Sequence, residues 1–131
     1  MRYPPLVEQH FERPCNAGPL AGPGQVLRGE AGSPAEGAHV LIEARIEAGR
    51  VGEIAFRAWG CPWTIAACSL ATTRLRGGEA AALGRLDPAA LAGELGLPAE
   101  RLGRLLILQD ALRNCLADWD TTQPTRVGQA D

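Results

Sequence analysis

The chain reads as an α+β protein: a small three-stranded antiparallel sheet with an N-terminal helix and several C-terminal helices packed on one face. Three observations predict this. Val40, Ile42, Ala44 and Ile46 alternate with mostly polar neighbours, the period of a half-buried strand. A second alternating run, with Ile54, Phe56 and Ala58 on one side and Glu53 and Arg57 on the other, follows the turn Ala48-Gly49-Arg50. After Gly60 the apolar residues recur at three- and four-residue steps instead, which is helical spacing.

Taken in order, Leu6 to Phe11 forms one short helix, with Pro5 near its first turn and Pro14 ending it. From Cys15 to Gly37 glycine and proline recur every few residues. That stretch reads as a covering loop with room for a short strand around Gln25 to Arg28. The two alternating runs pair as an antiparallel hairpin. Cys61, Ile65, Cys68, Thr72 and Leu75 then mark a nearly all-apolar helix that Gly77-Gly78 stops. Asp87-Pro88 supplies an N-cap and a first-turn proline for a helix closed by Gly96, and Leu97-Pro98 opens another segment. In the last helix Leu102, Leu105, Ala111, Leu112, Cys115, Leu116 and Trp119 make a stripe broad enough to lie on a sheet. Residues 1–120 form one domain, and 121–131 a frayed tail.

The 131 residues are 46% hydrophobic and 21% charged, the proportions of one globular domain rather than a disordered chain. The 13 basic residues are all arginine and scattered, at a net charge of -2, so nucleic acid is not an expected partner. Without lysine, Schiff-base and Walker-type chemistries are excluded. No apolar run is long enough to span a bilayer, and a membrane is not an expected partner either. The opening Met1-Arg2-Tyr3-Pro4-Pro5 lacks the order of a signal peptide, so the expected compartment is the cytoplasm.

Chemistry then rests on individual residues. The four cysteines, Cys15, Cys61, Cys68 and Cys115, form no CxxC pair. Cys61 follows a strand and Gly60 and opens a helix, where partial positive charge favours a thiolate able to bind metal or sulfur. The competing reading is a small residue filling a tight strand-to-helix turn. Cys68 lies seven residues on, roughly 10 Å along a helix axis, too far to share a mononuclear site with Cys61. Cys68 and Cys115 read as core, and Cys15 as an exposed bystander. His39 reads as a partly exposed strand residue and His10 as a packing or capping histidine. Trp59 and Trp63 flank Cys61 either as core or as an apolar collar, and Trp119 is core. A thiol enzyme would need a base beside Cys61, and none is evident, so the chain is not expected to be an enzyme.

The colinear order of these features resembles the IscU/NifU N-terminal type of iron–sulfur cluster scaffold. The resemblance covers roughly residues 3 to 119. It is carried by Tyr3, Val7-x-x-His10-Phe11, Pro14-x-Asn16-x-Gly18, Gly37, Phe56-x-x-Trp59-Gly60-Cys61, Ile65-Ala66-x-x-Ser69, Gly77, Leu97-Pro98, Arg101-Leu102 and Asp110-Ala111-Leu112.

The resemblance implies the same fold and a role in assembling a [2Fe–2S] cluster from iron and the sulfur of a cysteine desulfurase. The cluster is then released with help from a chaperone. In that family three cysteines and an aspartate or histidine hold the cluster. Here the Cys-Gly-Asp motif falls on Glu36-Gly37-Ala38, the second cysteine on Cys61, and the His-Cys pair on Gly103-Arg104. The chaperone motif Leu-Pro-Pro-Val-Lys falls on Leu97-Pro98-Ala99-Glu100-Arg101, which departs from it in the middle. Cys61 and Glu36 are thus the positions left for iron, zinc or a weakly held cluster, and a fully degenerate site would hold none. Glu36 and Arg104 are expected to form a salt bridge in the former ligand pocket. Two roles follow: a scaffold that retains Cys61 as its one cysteine ligand position, or a cofactor-free binding or regulatory module for the assembly machinery.

Overall fold

A computed structural model describes residues 3–122; the tail expected over 121–131 lies almost wholly outside the described residues. The element order is α1 (Pro5–Glu12), β1 (Leu27–Ser33), β2 (Ala38–Glu47), β3 (Arg50–Trp59), α2 (Pro62–Leu75), α3 (Pro88–Leu95) and α4 (Leu102–Thr121), with short 3-10 turns between. The strands form one antiparallel sheet in the order β1-β2-β3. Ala48 and Gly49, both at positive φ, make the two-residue turn that joins β2 to β3 and pairs Glu47 with Arg50.

The inner face of the sheet carries Val40, Ile42 and Ala44 of β2 with Ile54 and Phe56 of β3, all buried. Against it lie α4, over β1 and β2, and α2, over β3; α1 packs on α2. Leu105, Leu108, Ala111 and Leu112 of α4 complete the core with Ala66, Ala67 and Cys68 of α2. This is the layered architecture expected from the sequence.

The first strand differs from its expectation. It runs from Leu27 to Ser33, well past the short strand expected around Gln25 to Arg28. Glycines that read as breakers are the cause. A Cβ on Gly29 would lie 2.1 Å from the main-chain nitrogen of Cys115 and 2.3 Å from the carbonyl oxygen of Ala111. Only a residue without a side chain lets α4 settle onto the strand at that spacing. Side chains of α4 then bond the main chain of this edge strand: Asp118 accepts from the Arg28 N–H at 2.9 Å, and Asn114 donates to the Glu30 carbonyl at 2.9 Å. The opposite edge, β3, is met by residues 16–18 at Phe56 and by 77–80 at Gly49 to Val51.

The covering loop covers the outer face of the sheet, away from the helices. There the Leu20 N–H and Arg28 Nε donate to the buried carboxylate of Glu43, at 3.2 and 2.9 Å, and Arg57 approaches it at 3.5 Å. Beside them Arg45 donates to Glu53 at 2.7 Å and to the Gly22 carbonyl at 2.9 Å. These ion pairs anchor a glycine- and proline-rich segment that has little apolar surface of its own to bury.

Candidate functional site

Three backbone segments converge at one end of the sheet. The pairing of His39 with Trp59 sets Gly37-Ala38, at the start of β2, alongside Gly60-Cys61, at the end of β3. A Cβ on Gly60 would lie 3.2 Å from that of Ala38. The third segment is the first turn of α4, whose Arg104 reaches back across Gly37. A Cβ on Gly37, which has φ +83°, would lie 2.9 Å from Nη2 of Arg104, so the guanidinium rests on this glycine. Arg104 Nη1 donates to the main-chain carbonyl of Glu36 at 3.0 Å, while its Nε is buried with no hydrogen-bond partner.

Cys61 is the N-cap of α2, and Pro62 fills the first helical position, where a missing N–H costs nothing. Its carbonyl accepts from the N–H groups of Thr64 and Ile65, and its sulfur lies 3.7 Å from the Thr64 hydroxyl. Partial burial acts to raise the pKa of this thiol. The N–H and hydroxyl of Thr64, the Arg104 guanidinium and the Trp63 N–H act the other way and prevail, so the thiol is more acidic than an ordinary cysteine. Cys61 is partly exposed, and the loop over residues 18–25 does not close over it but lies on the outer face of the sheet.

The expected carboxylate–guanidinium bridge does not form. The Glu36 carboxylate accepts from the Ser33 hydroxyl at 3.1 Å, and that same hydroxyl oxygen accepts from the Glu36 N–H. This reciprocal cap fixes the 3-10 turn Pro34–Glu36 and leaves the main-chain oxygen of Glu36, not its side chain, facing Arg104. No group of three histidine, cysteine or acidic side chains is placed to hold a metal ion among the described residues. A [2Fe–2S] cluster asks for four such ligands, so these residues alone do not fit one.

The remaining residues sort clearly. Cys68 and Cys115 are fully buried, and burial pushes both thiols up, Cys115 to about 12 with help from Asp118 and Glu43. Cys15 is exposed. His39 pairs with Glu30 on the outer face at 3.1 Å, and buried His10 meets the Ser69 hydroxyl at 2.7 Å, so both histidines are engaged away from the Cys61 sulfur. Trp63 is core and stacks edge-on with Tyr3 at 5.3 Å between ring centroids, whereas Trp59 is 57% exposed and lies outside the core. Trp119, expected in the core, is partly buried at its margin. Arg104 as a neighbour of the thiol was legible only as a position, not as a contact, since residues 61 and 104 share no local pattern.

A family model described as the NifU-like N terminal domain matches residues 2–126 of the chain. The chain belongs to that family. Among curated relatives, the "Iron-sulfur cluster assembly enzyme IscU" of Drosophila melanogaster is 32% identical over 123 residues, covering 92% of this chain and 80% of the relative. The "Iron-sulfur cluster assembly scaffold protein IscU" of Azotobacter vinelandii is 30% identical over 121 residues, covering 91% of this chain and 94% of the relative. The crystal structure of a nitrogen-fixing NifU-like protein (N-terminal) from Brucella abortus superposes with a TM-score of 0.69 at 18% identity. It covers 92% of this chain and 95% of that one. At that identity the likeness shows a shared NifU-like fold. Among the described residues, no helix is long and apolar enough to cross a membrane.

Proposed function

We propose that this NifU-like protein serves iron–sulfur cluster assembly as a scaffold whose cargo is attached at Cys61. Relatives that bear the scaffold name match over nine-tenths of the chain, and they support the process. The observation that carries the site is the position of Cys61: a partly exposed thiol, made acidic, at a helix N-terminus beside a guanidinium.

One thiol cannot hold a cluster by itself, so the other ligands come from outside the chain, from a partner or a small thiol. Glu36 would have to leave Ser33 before its carboxylate could bind a metal, and the reading therefore rests on Cys61 alone. The partner that this role requires is a cysteine desulfurase as sulfur source. The protein is then a carrier, not a catalyst, since no base stands by the thiol among the described histidines.

The test is the rate at which an apo client acquires a [2Fe–2S] cluster, followed by visible absorbance under anaerobic conditions with iron, cysteine and a desulfurase. Adding the protein is expected to raise that rate, and Cys61→Ser to abolish the gain. A gain that survives in Cys61→Ser would mean that the fold acts as a cofactor-free binding module for the machinery.

A further inference from the structure

Away from the Cys61 site, one buried side-chain donor among the described residues lacks an acceptor: Nε of Arg45, a residue only 7% exposed. The other two guanidinium nitrogens are engaged, Nη1 by Glu53 at 2.7 Å and Nη2 by the Gly22 carbonyl at 2.9 Å. Gly24, at φ +103°, leaves the space beside Nε open, since a Cβ there would stand 3.6 Å from it. An orphaned buried donor is costly, and it marks a place where an acceptor belongs.

Arg45 also walls a cavity of about 270 Å³ at the end of the sheet remote from Cys61. The cavity exists because β2 outruns its neighbour. β1 pairs no further along β2 than Ala44, and Arg45, Ile46 and Glu47 continue past it. Gln25 of the covering loop and Trp119 of α4 line the gap that this leaves. Its volume falls just below the range of pockets that take drug-sized ligands, so the occupant is a smaller molecule. The charges decide its kind. Arg45 is balanced by Glu53, whereas Glu47 pairs with no cation among the described residues and rests its carboxylate against Gly52. The cavity therefore has a surplus negative charge on one side, an unused donor on another, and an aromatic wall that itself attracts a cation. A metal ion is not served, because no group of three ligating side chains gathers there among the described residues.

We propose that this cavity binds a small zwitterion of the free amino-acid type, its ammonium group against Glu47 and Trp119 and its carboxylate accepting from Nε of Arg45. A guanidinium has donors on more than one edge, so Arg45 can serve the ligand without releasing Glu53. Ile46 supplies an apolar surface for the ligand's side chain. The site is separate from the cargo thiol, and no step of cluster assembly passes through it.

The experiment is calorimetric titration of the full chain with L-leucine and with its two halves, isoamylamine, which lacks the carboxylate, and isocaproate, which lacks the amine. L-Alanine is titrated alongside as the probe with a minimal side chain. One equivalent of at least one amino acid is expected to bind, and each half of leucine about tenfold or more weakly, for want of one charge-assisted contact. Glu47→Gln, at an exposed position, should weaken the amino acid about tenfold and leave isocaproate unchanged. Gly24→Ala, which sets a methyl beside Nε, should weaken the amino acid and isocaproate together and reads the Arg45 contact without removing the buried arginine. N-acetyl-L-leucine amide, which presents leucine as a peptide does, should not bind. The inference is overturned if neither amino acid gives a binding heat, if Glu47→Gln binds as tightly as wild type, if isoamylamine matches leucine, which would make this a plain cation site, or if the blocked leucine binds as well as the free one.

Discussion

Arg104 Nη1 donates to the main-chain oxygen of Glu36 at 3.0 Å, and the carboxylate of that same Glu36 accepts from Ser33 instead. A side chain and a backbone atom of one residue are thus separable in experiment. Glu36→Ala is expected to cost about 1 kcal/mol or less, the worth of a local cap, in urea unfolding. Gly37→Ala should cost about 2 kcal/mol, because it adds left-handed strain and pushes the guanidinium off its rest. If Glu36→Ala proves the more damaging of the two, the carboxylate must be reaching Arg104 after all.

Gly29→Ala should destabilise the protein by about 3 kcal/mol or more, since the new methyl would meet α4 backbone at 2.1 Å and backbone cannot rotate aside. Thermal unfolding checks this. A change within a few tenths of a kcal/mol would mean that strand and helix are not in contact there.

His10 predicts a pH dependence. Burial first, and then the charge of Arg74, hold its pKa below the ordinary 6.5. The Cys15 N–H donates to the Ser69 hydroxyl oxygen, so that hydroxyl is free to donate its own proton to Nδ1 of a neutral ring. Between the lowered folded value and 6.5 the unfolded chain binds more protons than the folded one. The contribution is therefore complete above pH 6.5 and is lost as pH falls below it. His10→Gln should flatten the acid limb of a stability-against-pH curve, and an unchanged limb would rule His10 out as its source.

The cysteines should separate by reactivity. At neutral pH iodoacetamide is expected to modify Cys61 and the exposed Cys15 and to spare Cys68 and Cys115, whose thiols burial keeps protonated. Peptide mapping after a short pulse reads this directly. Labelling of Cys115 at the rate of Cys61 would contradict the packing of α4 on the sheet.

Glu43 predicts the behaviour of the outer loop. Glu43→Ala removes the acceptor of Leu20, Arg28 and Arg57, and those arginines can turn to water. The cost should be about 1 to 3 kcal/mol, accompanied by new proteolytic cleavage within residues 18–25. Unaltered protease resistance would show that the loop is held by something else.

The parts of the fold that were legible in the sequence are those in which local pattern and tertiary role agree. The β2–β3 hairpin is one, with its clean alternation and Ala48-Gly49 turn; Asp87, whose side chain does accept from the Ala90 N–H, is another. β1 was legible only at its beginning. Its Gly29 answers to a helix segment more than eighty residues away, and a contact of that kind leaves no periodicity in the strand itself. The buried Glu43 and Arg45 were hidden for a related reason, since alternation marks them as solvent-facing until the loop is laid over them. At the site, Cys61 stood out by its strand-to-helix position. The partner expected for Arg104 was the right residue but the wrong atom, because side-chain charge is visible in a sequence and the direction of a carbonyl is not.

The close approach at Gly29 gives α4 a fulcrum. Cys115 rests on the strand there, and Arg104 lies eleven residues nearer the start of the helix, about 16 Å away at 1.5 Å per residue. A rigid rod tilted by a few degrees at one bearing swings its far end by about an ångström, enough to break a hydrogen bond. The height of the guanidinium above the thiol is thus set from the other end of the rod, by a residue whose whole contribution is a hydrogen atom.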